Sequence, residues 1–208
     1  SWKIKIKNVT IKQNKTMNKI VYIIPGLGEN TKQPEYKKII GYFQENHFKV
    51  VPIKITWKRK VMSDYVQEFL NQYNQHNQND HVYLFGFSFG AMISFIISSR
   101  TKPHAQILCS LSPYFKEDLP TVRGWWRKLM GKERVKDFES LSFNDLSKKI
   151  SCKTYILAGT KEVPELIKRV KIASKKIAKS ELFFIDGAKH NIAQDEYLKQ
   201  IKNIINKI

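Results

Sequence analysis

Ser88 lies at the centre of a Gly-x-Ser-x-Gly pentapeptide at residues 86–90, between apolar stretches at 81–85 and 91–97. The first stretch is typical of a strand and the second has helical length, so the motif is predicted to form a sharp strand-to-helix turn. Such a turn presents a serine hydroxyl at the top of a sheet. Glycines on both sides remove the Cβ atoms that would collide there. A serine hydroxyl becomes nucleophilic only beside a base, and that base needs a carboxylate to orient it. The reaction also needs backbone N–H donors that stabilise the developing oxyanion.

The candidate base is His190. It follows the apolar run 183–185, so we expect it in a loop at the carboxyl end of a strand, where parallel α/β sheets place functional groups. The other histidines, at positions 47, 76, 81 and 104, have less suitable neighbours. The alternative for His190 is an ordinary surface-loop histidine.

The candidate acid is Glu162, in the loop after the apolar run 154–158. Its alternative role is to stabilise the N-terminus of the following helix through the helix dipole. Glu165 is the second choice for the acid, and Asp118 and Asp186 are weaker candidates.

The candidate oxyanion hole is the glycine-rich turn at residues 25–30, which follows the first buried strand. We expect the backbone N–H groups of Leu27 and Phe89 to be the donors. The turn has no Gly-Lys-Ser/Thr continuation, so it does not match a phosphate-binding loop. The alternative interpretation is that these residues form an ordinary tight turn with no catalytic role.

The rest of the chain must position these residues. From residue 19 onward, short apolar strands alternate with helices, which predicts an α/β fold with a mostly parallel twisted sheet and helices on both faces. We expect one domain over residues 1–208. Strands are predicted at 20–24, 49–55, 82–85, 105–111, 154–158 and 182–185. An N-terminal edge strand is predicted at 2–7, and residues 9–12 either continue this strand or form its hairpin partner. Helices are predicted at 34–47, 63–73 (capped by Ser63 or Asp64), 89–99, 164–178 and 193–207.

Residues 113–151 interrupt the alternation, and we interpret them as an inserted cap of one or two short helices. The segment contains Trp125, Trp126 and Met130, with Arg123, Arg127, Lys128 and Leu129 beside them. Either the tryptophans fix the cap to the domain, or these apolar residues line a substrate pocket or contact an interface.

At these motifs the chain resembles the α/β-hydrolase superfamily, from about residue 19 to the C-terminus. The order nucleophile, acid, histidine of that family is reproduced by Ser88, Glu162 and His190. The turn at 25–29 resembles the His-Gly-x-Gly-Glu turn of monoacylglycerol-lipase-like and thioesterase members, except that Pro25 replaces the histidine. Glu162 stands where aspartate is more usual.

The resemblance implies a serine hydrolase that cleaves a small carboxylic ester or thioester through an acyl-enzyme, with no metal and no cofactor. Two alternatives remain open. A peptidase or acyltransferase could use the same turn, and a non-catalytic binding protein could retain the fold.

The chain is strongly basic, with 37 Lys and Arg residues against 18 Asp and Glu residues and a formal net charge of +19. One interpretation is a solvated lysine-rich surface. The other is attraction to an acidic partner, either an acidic carrier protein or an anionic lipid surface. Only six arginines are present and no nucleic-acid-binding motif is found, so a nucleic-acid partner is not expected.

The two cysteines, Cys109 and Cys152, lie in or beside apolar stretches. We expect buried free thiols rather than a disulfide, which favours a reducing, cytoplasmic compartment. No apolar run reaches the roughly 20 residues that span a bilayer, so a transmembrane protein is not expected.

Overall fold

The fold is built on one six-stranded sheet in the order β2-β1-β3-β4-β5-β6, and all five neighbouring pairs are parallel. The computed structural model describes residues 18–73 and 80–208. The predicted N-terminal strand at 2–7 and its partner at 9–12 lie outside these residues. The strands are β1 Lys19–Ile24, β2 Phe48–Pro52, β3 His81–Phe87, β4 Ala105–Cys109, β5 Lys153–Gly159 and β6 Ser180–Ile185. The helices are α1 Pro34–Glu45, α2 Met62–Gln72, α3 Phe89–Thr101, α4 Gly124–Met130, α5 Lys132–Glu139, α6 Phe143–Ser147, α7 Pro164–Lys176 and α8 Asp195–Ile205.

The predicted fold class is confirmed, because helices cover both faces of the parallel sheet. Alternate side chains of each strand point to opposite faces, and in β1 Val21 and Ile23 join one buried cluster while Tyr22 and Ile24 join the other. The first cluster packs against α1 and α8. The second packs against α2, α3, α7 and the residues between β4 and β5.

The strand order reverses next to β1, which lies between β2 and β3. The chain moves outward from β1 to β2 and then returns to the other side of β1. Such a reversal leaves a crevice at the carboxyl ends of the strands, where ligands bind in open α/β sheets. The loops after β1 and β3 meet at this crevice.

The N-terminus of α2 differs from the prediction. Val61, not Ser63 or Asp64, holds the N-cap position, and the Asp64 carboxylate reaches back to accept the Val61 N–H at 3.0 Å. The Ser63 hydroxyl instead donates to Asp137 Oδ1 at 2.5 Å. A tertiary contact with α5 therefore determines the role of Ser63.

The segment between β4 and β5 contains more helix than predicted: a 3₁₀ turn at Leu119–Thr121 followed by α4, α5 and α6. A buried ion pair links it to α7, since both Nε and Nη2 of Arg169 donate to the Asp118 carboxylate. The Arg169 guanidinium also lies 4.0 Å from the centre of the Phe143 ring and 5.5 Å from that of Phe115. The segment is thus packed into the core rather than loosely attached.

Both thiols, Cys109 and Cys152, are buried and unpaired. Across residues 18–73 and 80–208, we find no helix that combines the length and the apolar character needed to cross a bilayer.

Candidate active site

Ser88 occupies a strained turn between β3 and α3, with φ 55° and ψ −116°. A positive φ is unusual for any residue other than glycine. The turn packs tightly against its neighbours. A Cβ on Gly86 would lie 2.2 Å from the Gly90 carbonyl oxygen, and one on Gly90 would lie 2.3 Å from that of Ile24. Both positions therefore require glycine, as the motif predicts.

The structure brings Ser88, His190 and Glu162 into one hydrogen-bonded chain. His190 Nε2 lies 3.0 Å from Ser88 Oγ, and His190 Nδ1 lies 2.6 Å from Glu162 Oε2. The Glu162 side chain is fully buried, whereas that of His190 is 45% exposed. The three residues come from loops that follow β3, β5 and β6, at the same edge of the sheet. An acceptor-only carboxylate on Nδ1 leaves Nε2 free to accept the serine proton.

Two further hydroxyl groups support Glu162, and sequence reasoning missed both. The Ser110 hydroxyl donates to Glu162 Oε1 and lies 2.7 Å from the Tyr197 hydroxyl. Because a carboxylate only accepts and Ser110 has a single hydroxyl hydrogen, Ser110 donates to Glu162. The hydroxyl hydrogen of Tyr197 is then shared between two acceptors, Ser110 Oγ and the Leu157 carbonyl oxygen at 3.2 Å. Burial raises the pKa of Tyr197 well above its ordinary value, with Cys109 and Glu162 adding to the effect. Tyr197 therefore keeps its proton and remains a donor.

A third hydroxyl missed by sequence reasoning lies beside the nucleophile candidate. Ser112 Oγ is 3.2 Å from Ser88 Oγ, and both side chains are buried. A signal for Ser110 and Ser112 was available. Both lie in the segment after β4, at the sheet edge that also carries the loops of Ser88, Glu162 and His190.

The predicted oxyanion donors are available for a ligand. In the part of the chain that the structure describes, the N–H groups of Leu27 and Phe89 donate to no protein acceptor. The turn before Leu27 is held by Gly26, whose N–H donates to the Tyr36 hydroxyl at 2.9 Å. The Tyr36 hydroxyl in turn donates to Glu29 Oε2 at 2.5 Å. This network fixes the backbone that carries the Leu27 N–H.

A cleft of about 260 Å³ lies next to the site. Three of its lining residues are adjacent in the chain to site residues: Pro113 and Tyr114 follow Ser112, and Val163 follows Glu162. The cleft is lined by Pro113, Tyr114, Val122, Arg123, Trp125, Trp126, Val163 and Glu165.

The two predicted tryptophans thus border the cleft, and Trp126 is fixed there because its indole N–H donates to the Tyr114 hydroxyl at 2.6 Å. Met130 is not part of the cleft. Its buried side chain borders a separate groove of about 950 Å³ between α5 and the residues before α2.

The other acid candidates, the second choice Glu165 and the weaker Asp118 and Asp186, lie elsewhere. Asp118 pairs with Arg169, Asp186 accepts a hydrogen bond from the Thr160 hydroxyl at 3.3 Å, and Glu165 lines the cleft. Among the described residues, no group of three or more His, Cys, Asp or Glu side chains is arranged to hold a metal ion.

Comparisons with known proteins identify the fold. No protein-family model matches the chain, and no curated protein matches it. Solved structures do. Est1E from Butyrivibrio proteoclasticus is 15% identical with a TM-score of 0.76, and the match covers 94% of this chain and 88% of that one. A dienelactone hydrolase from Anabaena variabilis is 14% identical with a TM-score of 0.67, over 93% and 86% of the two chains.

A third similar structure is an alpha-beta serine hydrolase homologue from Coxiella burnetii, which is 18% identical with a TM-score of 0.63, over 93% of this chain and 86% of that one. These matches extend over nearly the whole chain, including its six-stranded parallel sheet. The chain therefore has the α/β-hydrolase fold.

Proposed function

We propose that this protein is a serine hydrolase that cleaves carboxylic esters or thioesters through an acyl-enzyme intermediate. The observation that carries the proposal is the hydrogen-bonded chain from Ser88 through His190 to the buried Glu162. The fold of its structural neighbours is compatible with this chemistry but does not by itself establish it.

In the first step, Ser88 Oγ attacks the substrate carbonyl while His190 Nε2, at 3.0 Å, accepts the serine proton. Glu162 holds the imidazole in the required tautomer and stabilises the imidazolium. The oxyanion of the tetrahedral intermediate accepts hydrogen bonds from the N–H groups of Leu27 and Phe89. His190 then donates its proton to the departing alcohol or thiol.

In the second step, His190 takes a proton from a water molecule, which attacks the acyl-enzyme and releases the acid. The 45% exposure of the His190 side chain lets water reach its ring. Ser112, whose hydroxyl lies 3.2 Å from Ser88 Oγ, is close enough to hydrogen-bond that water.

The adjacent cleft is the proposed acyl site. Its walls are mostly apolar and aromatic, and Tyr114 connects it to the Ser88 turn because its ring packs edge-on against Phe89 at 5.6 Å. An acyl chain or aryl group seated there buries apolar surface, which favours binding by roughly 25 cal/mol for each Å² removed from water.

The test is covalent labelling with a fluorophosphonate probe, followed by mapping of the labelled residue by mass spectrometry. We expect an adduct on Ser88 in the wild type, none in Ser88→Ala and greatly reduced labelling in His190→Ala and Glu162→Gln. Ser112→Ala is the matched control, because it removes a neighbouring hydroxyl and leaves the proposed nucleophile in place.

Absence of labelling in a folded wild type, or an adduct on another serine, would contradict the proposal. If Ser88 is labelled, kinetic comparison of an ester and a thioester with the same acyl group shows which leaving group the enzyme prefers.

A further inference from the structure

Helix α4 carries two apolar rows, each with its residues one helical turn apart. Trp126 and Met130 face the domain, since Met130 is buried and Trp126 is hydrogen-bonded to Tyr114. Trp125 and Leu129 form the other row, and they are 62% and 68% exposed. The inward row accounts for the attachment of the helix. The outward row leaves two large apolar side chains in water, which requires a separate explanation.

Cations surround this outward row. Residues 123–136 contain six Lys or Arg residues and one carboxylate, Glu133. Arg134 alone turns inward, donating to the backbone oxygens of Lys60 at 2.9 Å and Trp57 at 3.2 Å. The other five are exposed or half-buried: Arg123, Arg127, Lys128, Lys132 and Lys136. We call these five residues, together with Trp125 and Leu129, the α4 face.

The cations of the α4 face are hardly neutralised by the protein itself. Arg127 has the nearest carboxylate, that of Glu139 at 3.8 Å, and the remaining four form no ion pair with the described residues. Four of the five cations line one groove between α4 and α5, with Glu139 as its single acid. The face therefore carries a net positive charge available to an external anion.

We propose that the α4 face docks the protein onto an anionic lipid bilayer. An exposed tryptophan and leucine flanked by basic side chains match the layered chemistry of a membrane surface. The apolar tips enter the boundary of the acyl chains while the cations contact lipid phosphates. An anionic bilayer accounts for the cations and for the exposed Trp125 and Leu129 row with one occupant.

The same surface connects docking with the cleft, because Trp125 belongs to the α4 face and also lines the cleft. Docking therefore turns the mouth of the cleft toward the bilayer, where acyl esters are concentrated. Binding itself does not require the Ser88 chemistry. The test uses the Ser88→Ala protein alongside the wild type, so that failure of docking and failure of the proposed hydrolase are seen separately.

The experiment is cosedimentation of the full chain with phosphatidylcholine vesicles, with and without phosphatidylglycerol. We expect binding only to the vesicles containing phosphatidylglycerol, with the same affinity for wild type and Ser88→Ala, and a steep loss of binding as salt is raised. Because each basic residue near an anionic surface contributes about fivefold to affinity, Lys128→Glu/Lys132→Glu should weaken binding by at least roughly tenfold. Trp125→Ala/Leu129→Ala should weaken it comparably while leaving its salt dependence in place.

Lys37→Glu/Lys38→Glu is the matched charge control, since both lysines are exposed on α1, on the opposite face of the sheet. Phe184→Ala, which replaces another exposed apolar residue, is the apolar control. Both controls should bind like the wild type, and thermal melting verifies that each variant is folded. Equal weakening by the two charge pairs would show that only net charge matters and would overturn the proposal. Absence of binding to the phosphatidylglycerol vesicles would also overturn it.

Discussion

Ser110 donates its hydroxyl hydrogen to Glu162 through the carboxylate oxygen that His190 does not use. Ser110 lies directly after β4 with a positive φ of 50°, so its backbone is strained in the conformation that brings the hydroxyl to Glu162. The Tyr197 hydroxyl lies 2.7 Å from Ser110 Oγ and is itself held by the Leu157 carbonyl oxygen at 3.2 Å. Ser110 and Tyr197 are positioning residues in this arrangement, since they act through Glu162 and His190.

Ser110→Ala should lower kcat with little change in KM. Ser110→Ala removes the shorter of two hydrogen bonds to Glu162 Oε1 and leaves only the Gly159 N–H at 3.4 Å. Weakening the hydrogen bonding of a buried carboxylate costs about 1–2 kcal/mol, which corresponds to roughly a five- to thirtyfold loss of rate if the arrangement of His190 depends on it. Tyr197→Phe should have a smaller effect of the same kind. The measurement is kcat and KM over a pH series with an ester substrate. A fall in thermal stability without a change in kcat would assign both residues a purely structural role.

The buried pair of Asp118 and Arg169 should be essential for the stability of the segment between β4 and β5. Arg169→Met leaves the Asp118 carboxylate buried without its partner, and we expect a loss of about 3–5 kcal/mol in the free energy of unfolding. The double variant Asp118→Leu/Arg169→Met removes both charges and should lose much less. Urea denaturation compares them, and equal losses in the single and double variants would argue against this account.

The two glycines at the Ser88 turn should tolerate no side chain, in contrast to a glycine elsewhere. Gly90→Ala places a Cβ 2.3 Å from the Ile24 carbonyl oxygen, and we expect it to destabilise the fold by about 1–3 kcal/mol and to reduce probe labelling of Ser88. Gly41 lies within α1 with nothing within 4 Å of its added Cβ. Gly41→Ala should therefore stabilise the protein by up to about 1 kcal/mol. Thermal melting distinguishes the two, and similar melting temperatures would contradict the prediction.

The cleft walls should determine which acyl groups are accepted. Trp126→Ala removes a wall that Tyr114 holds in place, so we expect roughly tenfold lower kcat/KM for bulky acyl groups and little change for acetyl esters. Trp125→Ala should act in the same direction but more weakly, because Trp125 is more exposed. Tyr114→Phe is the control that removes only the hydrogen bond. An acyl-length series that is unchanged in both tryptophan variants would exclude the cleft as the acyl site.

Acid should weaken the fold through Glu117, which lies near the start of the inserted segment. Burial raises the pKa of Glu117. Hydrogen bonds to its carboxylate, from the N–H groups of Asn144 and Phe143 and from the Ser142 hydroxyl, lower the pKa by a larger amount, so the net shift is downward. A lowered pKa stabilises the fold above the ordinary carboxyl range, and this contribution is lost as pH falls through the folded-state pKa. Glu117→Gln should therefore cost about 1 kcal/mol at neutral pH, and the difference should disappear in acid. Denaturation at several pH values tests this, and a constant difference would contradict the assignment.

Much of the fold could be predicted because local pattern and position in the sheet coincide. Apolar runs of strand length alternate with helical segments, and this alternation alone predicts the parallel sheet that the structure shows. The short helices between β4 and β5 were less predictable. Asp118, Arg169 and Phe143 are far apart in sequence, and only the folded chain brings them together to stabilise three short helices.

Local sequence patterns predict the fold class and the loops in which Ser88, Glu162 and His190 lie, because each residue lies in the segment after a strand and parallel strands end at one edge. The hydrogen bonds that complete their environment form only once the chain is folded. Ser110, Ser112 and Tyr197 reach the site through packing between β4, β5 and α8. The folded chain also places Met130 at a separate groove beside α5 rather than in the cleft, although Met130 lies one helical turn from Trp126 on the same helix. Hydrophobic spacing is local and readable in sequence, whereas hydrogen bonds between distant loops depend on how the elements pack.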